Sequence, residues 1–267
     1  MKALVRPPGD AFVRAVSSHP ERHRIDPARA RAQHAAYCAT LASLGVELVT
    51  LPADERHPDG CFTQDTAVVL GGGALLGRFA LPSRRGEEGT VRPVLEALGY
   101  PVHTATSAPP EGYAAPEAAT VEGGDVLEFG TRLLVGRSGR TNDAGMAALR
   151  AFAEPLGYTV EGVDVPEWAV HLSTSATIVD GRIALGLDQV VAQPAFRGAE
   201  RVPVGEDRLA ANVLSLGAHA VAAGPHAIHR ELTRLGVEMH PLDLSEFNLA
   251  DGSPTCLSLL LPAPHGP

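Results

Sequence analysis

Apolar residues come along this chain in short runs parted by glycine-bearing turns, and the runs repeat in a fixed order. Residues 66–70, the turn Gly71-Gly72-Gly73 and residues 74–77 read as two strands joined tightly, followed by a helix over 91–98 closed by Gly99 and a strand over 100–104. Residues 126–129, Gly130-Thr131 and residues 133–136 repeat the hairpin, with a helix over 143–156 and a strand over 158–163. In the third copy, residues 176–179 and 182–186 flank Asp180-Gly181, a strong hairpin signal. Only a short helix within 188–198 and a strand over 202–204 complete it. The fourth runs through strands 211–216 and 219–223, a helix over 225–235 and a strand over 237–241.

A fifth copy begins with the apolar strand 255–261, and there the chain stops. Its missing strand, helix and strand match the N-terminal segments. Residues 2–6 form a strand halted by Pro7-Pro8, and Asp26-Pro27 opens a helix over 27–44. That helix carries Ala30, His34, Tyr37, Leu41 and Leu44 at helical spacing, with Cys38 on its buried side. Gly45 ends it ahead of a strand over 46–51. The pattern therefore predicts an α/β fold: a five-bladed, pseudo-fivefold ββαβ propeller, its ring closed by the two termini so that no sheet edge is left bare. No linker divides residues 1–267, which are expected to form one domain. Residues 9–26 read as polar and irregular, and the Ala/Pro/Glu-rich stretch 105–120 as a surface loop.

Rotation about such a ring brings together whatever stands at the start of each module. Those positions hold Asp59 through Asp65, Glu122-Gly-Gly-Asp125, His171-Leu-Ser-Thr, Asn212, and Cys256 in Asp251-Gly-Ser-Pro-Thr-Cys256. Each has an ordinary structural reading, as turn cap, half-buried histidine or small apolar thiol. Together they make a chemical set. A thiol becomes a nucleophile when a neighbouring base or cation favours the thiolate, which His171 can supply. Glu122 would orient and charge the imidazole, in the manner of a triad. The further carboxylates Asp59 and Asp65 suit a planar cation such as guanidinium. Arg84 or Arg85, and Arg140, are candidates for a substrate carboxylate.

Composition narrows the classes. A net charge of −9 excludes the basic face that nucleic acid requires and is compatible with a cationic substrate. Lys2 is the only lysine, which removes P-loop, Schiff-base and kinase chemistry together. No apolar run spans a bilayer and the first residues lack a signal-peptide core, so neither membrane insertion nor secretion is expected. Three scattered cysteines argue against a disulfide framework or thiolate metal cluster and for a reducing cytoplasm.

Asp59…Phe62-Thr-Gln-Asp65-Thr-Ala-Val-Val, Glu122-Gly-Gly-Asp125, Arg140-Thr-Asn142, His171-Leu, Ala211-Asn212 and Asp251-Gly…Thr-Cys256-Leu-Ser resemble the dimethylarginine dimethylaminohydrolases, guanidine-modifying enzymes of the pentein group. The resemblance implies a five-bladed α/β propeller and cofactor-free, metal-free hydrolysis of Nω-methylated arginines to citrulline and a methylamine. It implies that Cys256 attacks the guanidinium carbon to form a thiouronium, that His171 moves the protons and that Glu122 positions His171. Asp59, Gln64, Asp65 and Asp251 would contact the substrate, Arg84 and Arg140 would hold its α-carboxylate, and residues 13–25 would form a lid. The partner implied is a small guanidino molecule, with a homodimer as the protein assembly to look for. Arginine deiminases resemble this class but carry His-x-Asp where this chain has His171-Leu-Ser173, which favours methylarginine. Gln64 stands where methylarginine enzymes usually have an acid, which leaves arginine or another guanidino compound as the alternative. A non-catalytic ring of the same architecture, or a metal hydrolase built on His219, His226 and His229, would be a different class of protein.

Overall fold

The computed structural model describes residues 1–105 and 118–264, so the centre of the loop expected at 105–120 lies outside the described residues. The chain opens with strand β1 (Lys2–Val5), helix α1 (Pro27–Ser43) and strand β2 (Glu47–Thr50). Four complete units follow. The first is β3 (Ala67–Leu70), β4 (Gly73–Leu76), α2 (Arg92–Ala97) and β5 (Val102–Thr104). The second is β6 (Val126–Phe129), β7 (Arg132–Arg137), α3 (Asp143–Ala153) and β8 (Thr159–Asp164). The third is β9 (Ala176–Val179), β10 (Ile183–Gly186), α4 (Asp188–Val191) and β11 (Glu200–Pro203). Short helix α5 (Arg208–Ala211) leads into the fourth: β12 (Val213–Leu216), β13 (His219–Ala223), α6 (His229–Arg234) and β14 (Glu238–Leu242). Helix α7 (Ser245–Asn248) and strand β15 (Ser258–Leu261) end the described fold.

Each unit is a three-stranded sheet, β3-β4-β5, β6-β7-β8, β9-β10-β11 and β12-β13-β14, and the fifth is β15-β1-β2. Within every sheet the first pair is antiparallel and the second, spanned by the helix, parallel. Ring closure is literal: Lys2 pairs with Leu261 on one side of β1 and with Glu47 on the other. The expected five-bladed propeller is the observed architecture.

Apolar side chains collect into five clusters, each wedged between neighbouring blades. This is why the middle strands, such as Gly73–Leu76 and Ile183–Gly186, are buried along their whole length. Each blade packs against two neighbours through these clusters. Local chemistry sets the helix starts. The Asp26 side chain accepts from the backbone N–H of Ala28 and Arg29 with Pro27 at the first position, and Asn142 accepts from Gly145 to start α3.

Several boundaries differ from the sequence expectation. Residues 9–26 are not uniformly irregular: Asp10–Arg14 and Arg22–Arg24 are 3-10 turns, and Phe12 is buried against Phe62 and Phe247. Helix α6 starts at His229, after a turn rather than at Pro225. Asn212 precedes β12, and Cys256 lies on a 3-10 turn, Pro254–Leu257, ahead of β15.

That turn is tied to α1. The buried Tyr37 hydroxyl donates to the Pro254 carbonyl at 3.0 Å and lies 2.8 Å from the Ser258 hydroxyl. Tyr37→Phe strands both partners and is expected to lower unfolding free energy by about 1–3 kcal/mol, read as a lower denaturant midpoint at unchanged slope. An unchanged midpoint would show that the bond contributes nothing.

Candidate active site

Every blade's first strand is entered through one short helical turn: Thr63–Thr66, Gly123–Asp125, Leu172–Thr174, α5 and Pro254–Leu257. These turns pack on one another around the axis. They deliver Asp65, Glu122, His171, Asn212 and Cys256 to one end of the ring. The two glycines after Glu122 are required by the closeness of this packing. A Cβ on Gly123 would stand 2.1 Å from the Gln64 carbonyl oxygen, and one on Gly124 2.5 Å from Asp65 Oδ1 and 2.8 Å from the His171 ring. Asn212 fastens the turns together, its Nδ2 donating to the Ser173 carbonyl at 2.8 Å and the Thr255 hydroxyl at 2.9 Å.

The acidic and basic groups form one buried network. Glu122 Oε2 lies 2.8 Å from His171 Nε2, while its Oε1 accepts from the Ala80 N–H at 3.0 Å. Asp65 Oδ1 accepts from the Gly124 N–H at 3.0 Å and stands 3.7 Å from the same imidazole nitrogen. Arg84 Nη1 donates to Asp65 Oδ2 at 2.7 Å, and Arg84 Nε and Nη2 grip Glu87 at 3.0 and 2.9 Å. Asp125 accepts from Ser138, Thr141 and the Leu172 N–H, which fixes the turn that carries His171.

A cavity of about 340 Å³ opens onto this network. Cys256 and His171 both line it, with Asp59, Asp65, Arg84, Arg140 and Asp251. Val16, Ser17 and Ser18 close over it, held by carboxylates on the far wall. Asp59 accepts from the Val16 N–H at 3.1 Å. Asp251 Oδ2 accepts from the Ser18 N–H at 2.6 Å and from the hydroxyls of Ser17 and Ser18 at 3.1 and 3.0 Å. Asp251 holds a left-handed backbone, φ 55°, a conformation Asp tolerates better than most residues.

Burial and charge oppose each other here. Burial would lower His171, but Asp65, Asp125 and the Glu122 hydrogen bond overcome it and raise the imidazole to about 9. Burial likewise works to raise Asp65, yet the charges of His171 and Arg84 hold its carboxyl below the usual range. Burial pushes the Cys256 thiol up to about 11, with Asp65 adding to it. At neutral pH the resting cavity is thus lined by an imidazolium and a thiol. Donor atoms of Asp65, Glu122 and His171 lie within 4.8 Å of one another. Arg84 and Arg140 nitrogens stand 3.8 and 3.9 Å from Glu122 Oε2, so cations already occupy that quarter and the set does not fit a metal ion.

Cys256, His171, Glu122, Asp59, Asp65, Arg84, Arg140 and Asp251 are therefore brought together, and Gln64 is not. It borders a separate cavity with Ala67, Gly123 and Thr255, and its Oε1 is buried without a hydrogen-bond partner. Arg84 is placed but spent: three of its donors go to Asp65 and Glu87, and Nη2 also reaches the Phe62 carbonyl at 3.3 Å. It neutralises the buried acids rather than offering a free fork. Arg85 is engaged by the carbonyls of Phe79 and Ala80. The sequence reading missed Glu87 and Trp168 as members of the site. Glu87 was signalled by its three-residue spacing from Arg84. Trp168, half exposed on the cavity wall, had no local signal.

Comparison with known proteins shows the family. The family described as N,N dimethylarginine dimethylhydrolase, eukaryotic, matches residues 8–205. The chain belongs to the dimethylarginine dimethylaminohydrolase family. A Streptomyces coelicolor N(G),N(G)-dimethylarginine dimethylaminohydrolase is 34% identical over 261 residues, 97% of this chain and 96% of that one. The Pseudomonas aeruginosa enzyme of the same name is 29% identical over 96% of this chain and 97% of its own length. The structure of a Pseudomonas aeruginosa mutant complexed with citrulline superposes with a TM-score of 0.86 at 28% identity, covering 97% and 98% of the two chains. The N-terminal domain of ArgZ, an arginine dihydrolase, shares the fold at a TM-score of 0.85 and 22% identity.

If Glu122 helps charge the imidazole, Glu122→Gln is expected to bring His171 down from about 9 toward the ordinary histidine range. An NMR titration of the ring proton measures this, and an unmoved midpoint would sink the assignment.

Proposed function

We propose that this protein, acting over residues 1–267 as one catalytic domain, hydrolyses Nω-methylated arginines such as asymmetric dimethylarginine and monomethylarginine. The products are citrulline and dimethylamine or methylamine. The observation that carries the reading is a cysteine and a carboxylate-bound histidine opening on one acid-lined cavity within a family of this activity.

The substrate guanidinium lies against Asp59 and Asp65, which supply the negative charge that a planar cation seeks. Arg140, a partly exposed cation on the same wall, holds the α-carboxylate, while Arg84 keeps Asp65 ionised. Burial disfavours the thiolate in the empty site, and a docked cation favours it, so Cys256 gives up its proton to solvent once the guanidinium is in place, His171 being already protonated. The thiolate Sγ then bonds to the guanidinium carbon. His171 gives its proton to the departing methylamine as the carbon–nitrogen bond breaks, leaving a thiouronium and a neutral imidazole. That imidazole takes a proton from water, the resulting hydroxide adds to the carbon, and as the carbon–sulfur bond breaks the hydroxyl proton passes to the departing sulfur, which releases citrulline and restores the Cys256 thiol and the His171 imidazolium. Glu122 holds the ring for both transfers. Three free cysteines support a reducing, cytoplasmic setting.

A panel of methylarginines, arginine, agmatine and related guanidines tests the substrate. Citrulline from asymmetric dimethylarginine ahead of arginine is expected, and Cys256→Ala should abolish it. Faster turnover of plain arginine would overturn the substrate while leaving the chemistry.

The pH profile follows from the raised histidine. Its imidazolium is present below about 9 and lost as pH rises through that value, so leaving-group protonation fails on the alkaline side. Turnover under saturating substrate should fall through that region; a profile that keeps rising to pH 11 would remove His171 as the acid.

A further inference from the structure

A second cluster of ligating side chains lies outside the catalytic cavity, on the outer edge of the fourth blade. In the parallel register of β13 and β14, His219 lies beside Glu238 and Val221 beside His240. Residues two apart on a strand share a face, so Glu238 and His240 point the same way, and His219 points with them. Deeper along that face Val221, Ala223 and Leu242 pack into the core with α1, which fixes both strands. At the outer end His219 Nδ1 lies 3.2 Å from His240 Nε2 and 3.5 Å from Glu238 Oε2. His240 Nε2 is 3.8 Å from Glu238 Oε1.

Those separations have a particular scale. A tetrahedral zinc ion with bonds of about 2.0–2.1 Å sets neighbouring ligand atoms about 3.3–3.5 Å apart. The observed spacings bracket that edge length without rearrangement of the strands. Two imidazoles and one carboxylate are also a donor set that borderline divalent metals prefer, and they leave a coordination position open. It faces solvent, since the Glu238 and His219 side chains are 68% and 38% exposed. The alternative is a plain hydrogen bond between two neutral imidazoles, which needs no ion.

The geometry points to a binding site for one zinc-class divalent ion, held by His219 Nδ1, His240 Nε2 and the Glu238 carboxylate, each imidazole facing one of its two oxygens, which would clamp β13 to β14. The histidines grouped by sequence do not assemble instead. His226 is taken by Asp207 and the Ala223 carbonyl, and His229 is a buried neighbour of His226.

The test uses the untagged full chain carrying Cys256→Ser, so that the catalytic thiol cannot bind metal. Calorimetric titration with Zn2+, and zinc retained after gel filtration, should both report one equivalent. The parent should also melt at a higher temperature with zinc present. His240→Ala should weaken zinc binding by about 100-fold or more and cancel the thermal shift, as expected when one of three ligands is removed. Glu238→Gln, at a mostly exposed position, is the second variant should His240→Ala not fold, and should weaken binding in the same direction. In chains that keep Cys256, metal-free His240→Ala should form citrulline at the parent rate. Unchanged zinc affinity in a folded ligand variant, or no binding by the parent with zinc in excess, overturns the site.

Discussion

Burying charge is expensive, and this ring buries a chain of it. Glu87, Arg84, Asp65, His171 and Glu122 have almost no solvent contact, and each is satisfied by the next at hydrogen-bond or near-contact distance. Removing Arg84 would leave Glu87 without its cation in a low-dielectric interior, which costs far more than the pair contributes, and removing another member would leave its neighbour one partner short. The short turns that enter the blades exist in the positions they do because these groups must meet at the axis. Gly124 follows from the same requirement, since a side chain there would press on both Asp65 and His171, while one at Gly123 would run into the backbone of Gln64 and Ala67.

The network is not balanced within itself. Its carboxylates outnumber its cations, and Asp59 and Asp251 add further negative charge on the cavity wall. A cationic guanidinium restores the balance that the protein leaves open. The same electrostatics keep Cys256 a thiol and His171 an imidazolium while the cavity is empty. The empty site thus holds one proton more than a preformed thiolate–imidazolium pair, and on the proposed reading the substrate's own charge would release it from the thiol. Arg84 belongs to this arrangement as an internal counter-ion. Its donors are committed to Asp65 and Glu87, which leaves Arg140 as the more accessible cation.

Much of the fold was legible because its signals are local. Glycine-bearing turns between short apolar runs, followed by a helix and a further strand, mark the blades, and their recurrence implied the closure that β1 makes between β15 and β2. Boundaries were less so. The turn carrying Cys256 read as strand because Thr-Cys-Leu-Ser has strand composition, while the packing of the neighbouring turns imposes a 3-10 conformation. Residues 9–26 read as irregular because their apolar residues show no clear period, and the segment is ordered by long-range contacts: Phe12 on Phe62 and Phe247, and carboxylates of Glu55, Asp59 and Asp251 on its backbone.

By itself the sequence determined which residue types stand at the entrance to each blade, and so the thiol, imidazole and acids available for chemistry. Identity at equivalent positions survives in a linear string, because pseudo-symmetry repeats it at regular intervals. Only the tertiary structure decided which way each of those side chains faces. It placed Gln64 at a different cavity, consumed the donors of Arg84 internally, and grouped His219 with Glu238 and His240 rather than with His226 and His229. Orientation depends on strand register and on which buried charge finds which partner, and both are set by contacts between residues far apart in the chain.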